Sequence, residues 1–187
     1  MAENHTDKLN TILAECIDNQ PKAQKQLFDL LAPKMYSVCL RYAKDEDEAK
    51  DILQESFIKV FKNLTKFEHK GSFEGWVKRI FINTSIEFYR KNQKHNIVDS
   101  IDDVAERPID SHTISILKTA DLMKLVNRLP NGYRTVFNLF AIEGYKHQEI
   151  ATMLKISEGT SKSQLSHARK LLQNQIVELK NKLNGTK

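Results

Sequence analysis

Seven polar side chains recur on one side of a predicted helix near the C-terminus, and they could bind nucleic acid. They are Thr160, Lys162, Ser163, Gln164, Ser166, His167 and Lys170. Each donates or accepts hydrogen bonds, and none is a large aliphatic group that would require burial. Base edges and phosphates are bound by groups of these kinds. Because the pattern also fits the solvated face of an ordinary helical hairpin, the neighbouring elements must decide between the two interpretations.

An apolar stripe on the same segment predicts that the helix packs against the protein on its other side. Its members are Leu165, Ala168, Leu171 and Leu172. Ser157 stands at the predicted helix start, where its hydroxyl can accept hydrogen bonds from backbone N–H groups, and Glu158 suits the positive end of the helix dipole. The spacing therefore predicts an amphipathic helix that begins after Ser157.

A second, shorter helix is predicted just upstream. Apolar residues at helical spacing indicate it over His147–Leu154, and the small Ala151 permits a close crossing with the next helix. Lys155 and Ile156 form the turn between the two helices. This arrangement is a helix-turn-helix, which places the start of its second helix in the major groove of DNA. DNA reading is the leading hypothesis for this segment.

The net charge of +5 is unevenly distributed along the 187 residues. Residues 1–58 have a net charge of −4, residues 59–91 of +5, residues 92–115 of −3 and residues 116–187 of +7. Two separate contacts with a phosphate backbone would produce two basic blocks divided by an acidic one, although a basic surface alone is weak evidence. No apolar run approaches the roughly 18 to 20 residues that cross a bilayer. The N-terminus lacks the pattern of a secretion signal, so we expect a cytoplasmic protein.

Helical periodicity runs through most of the chain, and no convincing alternating strand pattern is present. Apolar stripes over Leu27–Tyr42, Ala49–Leu64 and Phe73–Phe88 predict three helices, with a weaker opening helix near Leu9–Ile17. The first stripe includes Leu30, and the third places Phe73, Trp76 and Phe81 in the core. These helices suffice for one compact bundle. The predicted fold class is all-α, with two small helical domains.

A linker is predicted where the periodicity fails, from about Asn92 onward, in a polar and acidic stretch that contains Pro108. Beyond it, a helix over Ile116–Leu129 is expected to stop at Pro130, and Asn131 with Gly132 is expected to turn the chain. A further helix over Tyr133–Ile142 should end at Gly144. The resulting domains are residues 1–91 and 116–187, joined by a flexible acidic linker at 92–115.

Residues that could support catalysis or metal binding form no recognisable site. The six histidines are scattered, no glycine-rich phosphate loop or nucleophile motif occurs, and the acids form no catalytic pair. Cys16 and Cys39 belong to no paired-thiol motif, so buried or incidental thiols are expected. The sequence therefore predicts no enzyme, no catalytic residue, no cofactor, no metal site and no small-molecule substrate.

Two blocks of sequence closely resemble bacterial RNA polymerase sigma factors of the sigma-70 family, and the extracytoplasmic-function (ECF) group fits best. The first block is DEDEAKDILQESFIKVFKN followed by GSFEGWVKRIFINTSIEFYRKN, and the second is LPNGYRTVFNLFAIEGYKHQEIATMLKISEGTSKSQLSHARKLL. Both stand in family order. The resemblance implies a region 2-like domain at 1–91, and a region 4-like helix-turn-helix domain at 116–187.

In the family, region 2 binds the β′ clamp helices of core RNA polymerase and captures the non-template strand of the −10 promoter element. The resemblance assigns polymerase binding to Asp51, Gln54, Glu55 and Ile58, while the neighbouring aliphatic residues are expected in the core. It assigns the −10 element to a base-selecting loop, a pocket residue and nearby cations. These residues are Phe67, Glu68, His69, Lys70, Gly71, Ser72, Lys78, Arg79, Asn83 and Arg90, with Lys91 beside them.

Region 4 of the family reads the −35 promoter element and contacts the β flap of polymerase. The resemblance assigns −35 contacts to Thr160, Lys162, Ser163, Gln164, Ser166, His167, Arg169 and Lys170. Gln164 and His167 stand where arginine is frequent, which predicts lower phosphate affinity and an altered base preference; glutamine can pair with adenine. Ser161 replaces a common valine, which predicts softer packing on that side of the helix.

The resemblance also implies partners beyond DNA. Members of the group are commonly held by an anti-sigma factor, often a membrane-bound one. The family's linker runs toward the RNA exit path, where a negative segment can occupy the route of RNA. Here Asp99, Asp102, Asp103 and Glu106 would supply that charge, although the same residues also suit a plain disordered tether.

The leading function is thus a transcription initiation factor that gives core polymerase promoter recognition and helps to melt DNA. A conventional helix-turn-helix repressor or activator is the alternative. It would use the C-terminal domain alone, bind a duplex palindrome as a dimer, and use its first domain to sense a ligand or partner. The strand-capture block argues against this alternative, because a duplex reader has no need for one.

Overall fold

The computed structural model describes residues 3–93 and 119–184. The chain divides into two compact units, Met1–Lys94 and His95–Lys187. Every regular element within the described residues is helical, so the predicted all-α class is confirmed. None of the described helices is long and apolar enough to cross a membrane. Residues 94–115 of the linker predicted at 92–115, including Asp99, Asp102, Asp103 and Glu106, lie outside the described residues.

Within residues 3–93, the N-terminal unit contains four α-helices and one short 3-10 turn. They are α1 (Glu3–Ile17), α2 (Pro21–Tyr42), α3 (Glu46–Lys62), the 3-10 turn Leu64–Lys66, and α4 (Phe73–Gln93). Helices α2, α3 and α4 each pack against the other two, and α1 packs on α2. The result is a small bundle in which α3 and α4 lie side by side.

The core of this unit is formed where the three predicted apolar stripes meet. Its fully buried side chains include Leu27, Met35, Ile52, Val60, Val77 and Phe81. Burial of one large apolar side chain contributes about 1.5 to 3 kcal/mol, so these residues dominate the stability of the unit. The expectation for Leu30 was wrong: it is 52% exposed, because α2 turns Leu27 and Leu31 inward and leaves Leu30 on its flank.

Helix α3 begins at Glu46 because Asp45 caps it. The Asp45 carboxylate accepts a hydrogen bond from the backbone N–H of Glu48 at 2.8 Å. The buried Glu48 side chain accepts in turn from the backbone N–H of Lys44 at 2.6 Å and from the side-chain amide of Asn92. Glu48 thus joins the start of α3 to the end of α4. This contact helps α4 to continue through Asn92 and Gln93, two residues into the stretch assigned to the linker.

The C-terminal unit is arranged around one long helix. Its described elements are α5 (Thr119–Asn127), α6 (Asn131–Phe137), a π-helical turn (Asn138–Ile142), α7 (His147–Leu154) and α8 (Glu158–Asn184). Helices α5, α6 and α7 all pack against α8. Val126, Leu129 and Ala168 form a buried cluster, flanked by half-buried aromatic and leucine side chains. Helix α8 is therefore the central element of this unit.

The segment around Pro130 differs from the sequence prediction. The helix begins at Asn131 rather than at Tyr133, because the Pro130 carbonyl accepts a hydrogen bond from the backbone N–H of Arg134 at 2.9 Å. From Asn138 the helix widens into a π turn, and the backbone N–H of Glu143 donates to the Asn138 carbonyl. The upstream helix ends at Asn127 instead of Leu129, and its predicted residues 116–118 lie outside the described part of the chain.

Both cysteines are buried free thiols, as the sequence predicted. Burial raises the pKa of the Cys39 thiol to about 12. At neutral pH this thiol is protonated, and a protonated thiol is a poor nucleophile and metal ligand.

Replacement of Asp45 by alanine should destabilise the N-terminal unit by about 1 kcal/mol, because the first turn of α3 loses its cap. Urea unfolding followed by tryptophan fluorescence measures this unit selectively, since Trp76 is the single tryptophan of the chain. Asp47→Ala is the matched control, because Asp47 is an exposed acid of the same turn whose carboxylate pairs with the Lys50 ammonium. Equal unfolding midpoints for the two variants would contradict the role of Asp45.

Candidate nucleic-acid interface

The loop Phe67–Ser72 connects the 3-10 turn to α4 and turns on two residues with left-handed backbone. His69 has a φ of +55° and Gly71 a φ of +93°. At the end of the loop, the Ser72 hydroxyl accepts a hydrogen bond from the backbone N–H of Gly75 at 3.1 Å and so caps α4. Glu68 to Ser72 are all exposed. The loop therefore presents five consecutive residues to a partner between two fixed ends.

An aromatic cluster fixes the start of this loop. The ring centroid of Phe67 lies 4.7 Å from that of His69, 5.2 Å from that of Phe73 and 5.6 Å from that of Trp76. Phe73 is buried, as predicted, and so is Phe81. Trp76 is only half-buried, so its assignment to the core was wrong. Its ring contacts those of Phe67 and Phe73 and also lines the groove between α3 and α4.

A groove of about 320 Å³ lies between α3 and α4 beside this cluster. Its walls include Lys59, Asn63, Lys66, Trp76, Asn83 and Glu87. The Lys59 ammonium and the Glu87 carboxylate form an ion pair at 2.6 Å between the two helices. Cations, amides and an indole ring in one groove suit a phosphate and an unstacked base. The sequence pointed to Asn83 but not to Lys59, Asn63 or Lys66. A signal was available for two of them: Lys59 and Asn63 stand four residues apart, as do Asn83 and Glu87, so each pair lies on one side of its helix.

The cations proposed for phosphate contact divide into two groups along α4. Arg79 and Arg90 stand four and seven residues from the groove residue Asn83, so they share its face of the helix. At about 100° per residue, Lys78 lies roughly 140° around the helix from Asn83. Arg79 and Lys91 are exposed, whereas Lys78 and Arg90 are half-buried. Arg79 and Arg90 are therefore closer in angle to the groove than Lys78.

The residues assigned to polymerase binding form one face of α3. Asp51, Gln54 and Ile58 are exposed, and Ile58 shows 40% of its surface. Glu55 is half-buried, and its carboxylate lies 3.9 Å from the Lys59 ammonium. On the other side of the helix, Ile52, Ser56, Phe57 and Val60 are buried. The face offers an acid, an amide and an aliphatic group to a partner.

In the C-terminal unit, α7 and α8 form the predicted helix-turn-helix. Helix α7 ends at Leu154, and its C-cap Lys155 adopts the left-handed conformation with a φ of +57°. The Ser157 hydroxyl then accepts a hydrogen bond from the backbone N–H of Thr160 at 2.9 Å. The predicted N-cap is confirmed, and α8 begins at Glu158.

The eight residues proposed to read DNA differ in exposure along α8. Thr160, Lys162, Ser163, Ser166 and Arg169 are exposed, while Gln164, His167 and Lys170 are half-buried. The ring of His167 stacks on Tyr133 with centroids 5.5 Å apart. Lys162 pairs with Glu158 at 2.7 Å, and this contact lowers the pKa of the Glu158 carboxyl. Five of the eight side chains are thus open to solvent.

Ser161, for which softer packing was predicted, stands inside the unit and forms a hydrogen bond between the two helices. It is fully buried, and its Oγ lies 2.9 Å from Nδ1 of His147, the first residue of α7. The imidazole of His147 stacks on Phe140 with centroids 4.6 Å apart. The Arg169 guanidinium lies 5.8 Å from the centre of the Phe140 ring. Sequence reasoning missed this group, because the hydrogen bond joins residues 14 positions apart.

Two family models match the chain over the elements described above. Sigma-70 region 2 matches residues 27–95, and Sigma-70, region 4 matches residues 119–172. The chain belongs to the sigma-70 family. Region 2 covers the groove, the loop and the exposed face of α3, and region 4 covers the helix-turn-helix.

Curated sigma factors from several bacteria are similar over most of their length. RNA polymerase sigma factor SigV of Bacillus subtilis is 29% identical over 76% of this chain and 84% of its own. The ECF RNA polymerase sigma factor SigW of the same organism is 28% identical over 82% of this chain and 88% of its own. The ECF RNA polymerase sigma-E factor of Haemophilus influenzae is 25% identical over 96% of this chain and all of its own. These relatives agree with the ECF group predicted from the sequence.

Solved structures with similar chains are also known. One is CnrH in complex with the cytosolic domain of CnrY, with 20% identity, a TM-score of 0.47, and coverage of 90% of this chain and 96% of that chain. Another is the sigma factor RpoE in complex with the anti-sigma factor NepR from Bartonella quintana, with 23% identity and a TM-score of 0.47. It covers 82% of this chain and 96% of that chain.

Replacement of Phe67 by alanine should expose Trp76, because the Phe67 ring covers one side of the indole. We expect a red-shifted tryptophan emission and stronger quenching by acrylamide, with a loss of about 1 kcal/mol in stability from the aromatic contacts. His69→Ala is the control, since His69 contacts Phe67 and has no ring contact with Trp76. An unchanged emission in Phe67→Ala would contradict the described cluster.

Proposed function

We propose that this protein binds core RNA polymerase, directs it to a particular set of promoters and assists in opening the DNA. The observation that carries the proposal is the presence, in one sigma-70 chain, of a groove lined by cations, amides and an indole ring and of a separate helix-turn-helix. A repressor that reads duplex DNA would need only the second of these. The chemistry of transcription would belong to polymerase, including its metal ions, and this chain would add no cofactor.

The groove of the N-terminal unit supports capture of the −10 element as a single strand. A base that leaves the duplex loses its stacking partners and needs an alternative surface. Stacking of one base on an aromatic side chain is worth about 1 to 3 kcal/mol, and Trp76 provides a half-exposed indole for it. Asn83 can hydrogen-bond the edge of such a base, while Lys66 and Arg79 can contact the backbone. The loop Phe67–Ser72 would then select the base.

The helix-turn-helix supports reading of the −35 element as a duplex. In this motif the first turns of the second helix enter the major groove, and here they carry Thr160, Lys162 and Ser163. Lys162 can contact a phosphate or the acceptor atoms of guanine, and the hydroxyls can contact either kind of site. Gln164 is half-buried, so its reach toward adenine is shorter than the sequence alone implies.

Polymerase binding would use the exposed face of α3, with Asp51, Gln54 and Ile58 against the β′ clamp helices. An exposed Ile58 beside polar groups resembles the apolar centre and polar rim of a protein interface. The C-terminal unit would contact the β flap. We also propose that an anti-sigma factor, membrane-bound in many of the group, controls this protein. We expect this protein itself to act in the cytoplasm.

Core binding tests the proposal most directly. The full-length protein should bind core polymerase from its own organism, and the double variant Asp51→Ala/Gln54→Ala should bind at least about tenfold more weakly, because interface side chains of this kind contribute 1 kcal/mol or more. Fluorescence anisotropy of the labelled protein measures the Kd. Asp18→Ala removes an exposed carboxylate outside the α3 face and should leave the Kd unchanged. A wild-type protein that binds no core enzyme from its own organism would exclude the proposed function.

Promoter choice tests the two DNA-binding sites separately. Transcripts mapped after overproduction should share a pair of upstream elements. Lys162→Ala and Ser163→Ala should reduce use of the farther element, about three- to tenfold for one lost contact, while replacement of the loop Phe67–Ser72 should change the nearer element. Lys124→Ala is the control, because Lys124 is an exposed lysine in a similar ion pair on α5. If neither change affects promoter choice, the assigned sites are wrong.

A further inference from the structure

One buried polar contact joins the two helices of the helix-turn-helix. His147 begins α7, and its Nδ1 lies 2.9 Å from the hydroxyl of Ser161 in the first turns of α8. Ser161 is fully buried, so its hydroxyl cannot exchange this partner for bulk water. A buried hydroxyl left without a partner costs about 1 to 3 kcal/mol, which makes the paired arrangement strongly preferred over one that separates the two groups.

A second attachment reaches α8 through the same imidazole. The His147 ring stacks on Phe140 with an interplanar angle of 21°, and the Phe140 ring lies 5.8 Å from the Arg169 guanidinium. Ser161 and Arg169 are eight residues apart on α8, which is about 12 Å along the helix. Two attachment points at this separation restrict both the position of α8 and its rotation about its own axis.

The rotation of α8 decides which atoms meet the base edges. Side chains at the helix surface stand about 5 to 6 Å from the axis, so a rotation of about 20° moves them by roughly 2 Å. Hydrogen bonds to bases tolerate much less, because their lengths fall within about half an ångström. Lys162 and Ser163 are the next two residues after Ser161 in the chain, so they lie close to the first attachment point.

We propose that His147 is a positioning residue for promoter reading, which acts through Ser161 to hold α8 at the rotation that base recognition requires. The inference rests on the proposed reading of the −35 element by α8. Phosphate contacts made by long, flexible side chains tolerate a small rotation, whereas contacts to base edges do not. Loss of the contact should therefore reduce discrimination between promoter sequences more than it reduces transcription overall.

The experiment compares variants that remove the hydrogen bond from either side. Ser161→Ala removes the hydroxyl, His147→Phe keeps an aromatic ring on Phe140 but lacks the nitrogen, and the double variant lacks both. His147→Asn is the conservative variant, since its amide can occupy the place of Nδ1. Thr152→Ala is the control, because it removes an exposed hydroxyl that donates its hydrogen bond within α7, to the Gln148 carbonyl.

Each full-length protein is combined with core polymerase, and initial transcript formation is measured on a mapped promoter and on versions with one base pair of the −35 element changed. The readout is the ratio of the matched to the altered promoter. Each single variant should lower this ratio about three- to tenfold, the range that one hydrogen bond supplies. The double variant should lower it no further, because both changes remove the same contact. Asparagine at position 147 should restore part of the ratio, and Thr152→Ala should leave it unchanged.

Several outcomes would overturn the inference. A purely structural role for His147 would lower transcription on all promoters by the same factor and leave the ratio intact, and thermal unfolding of each variant measures that contribution. Additive losses in the double variant, or no recovery with His147→Asn, would also exclude the hydrogen bond as the cause. A wild-type protein that discriminates at no base pair of the −35 element would overturn the proposed function itself, and this inference with it.

Discussion

The amphipathic helix is the constraint on which every proposed site of this protein depends. With 3.6 residues per turn, burial of one stripe fixes which side chains face outward. In α3, burial of Ile52 and Phe57 leaves Asp51 and Gln54 exposed. In α8, burial of Leu165 and Ala168 leaves Lys162 and Ser163 exposed in the same way. The apolar residues therefore orient the polar ones, and the core determines the geometry of each binding surface.

Ion pairs between lysine and glutamate side chains give the candidate DNA-binding surfaces a second common property. Lys59 pairs with Glu87, Lys70 with Glu68, and Lys162 with Glu158. An exposed pair of this kind contributes only about 0 to 1 kcal/mol, so a phosphate can replace the carboxylate at little cost. The carboxylates also reduce attraction for nucleic acid in general. These ion pairs therefore favour binding at sites where several phosphates and bases can be contacted at once, and they disfavour nonspecific binding along a duplex.

The features that the sequence predicted well depend on residues that are near one another in the chain. Helical periodicity identified the all-α class, and the Ser157 cap was recognisable because its partner lies three residues away. The features it missed depend on distant contacts or on backbone geometry. The Glu48–Asn92 bond extends α4, the His147–Ser161 bond joins α7 to α8, and the π turn after Phe137 has no periodic signature. Trp76 shared the apolar spacing of buried residues, yet it lines the groove between α3 and α4 and is only half-buried.

The loop Phe67–Ser72 is fixed at its first residue by the aromatic cluster and at its last by the cap on α4. Between these points, His69 and Gly71 supply the left-handed turns, and Glu68 to Ser72 contribute no buried side chain. Most substitutions at exposed positions of this kind change stability by less than about 0.5 kcal/mol. New promoter specificities could therefore arise by substitution at exposed positions such as Glu68 and Lys70 without a period of instability in the fold, while Phe67, Gly71 and Ser72 keep their structural roles.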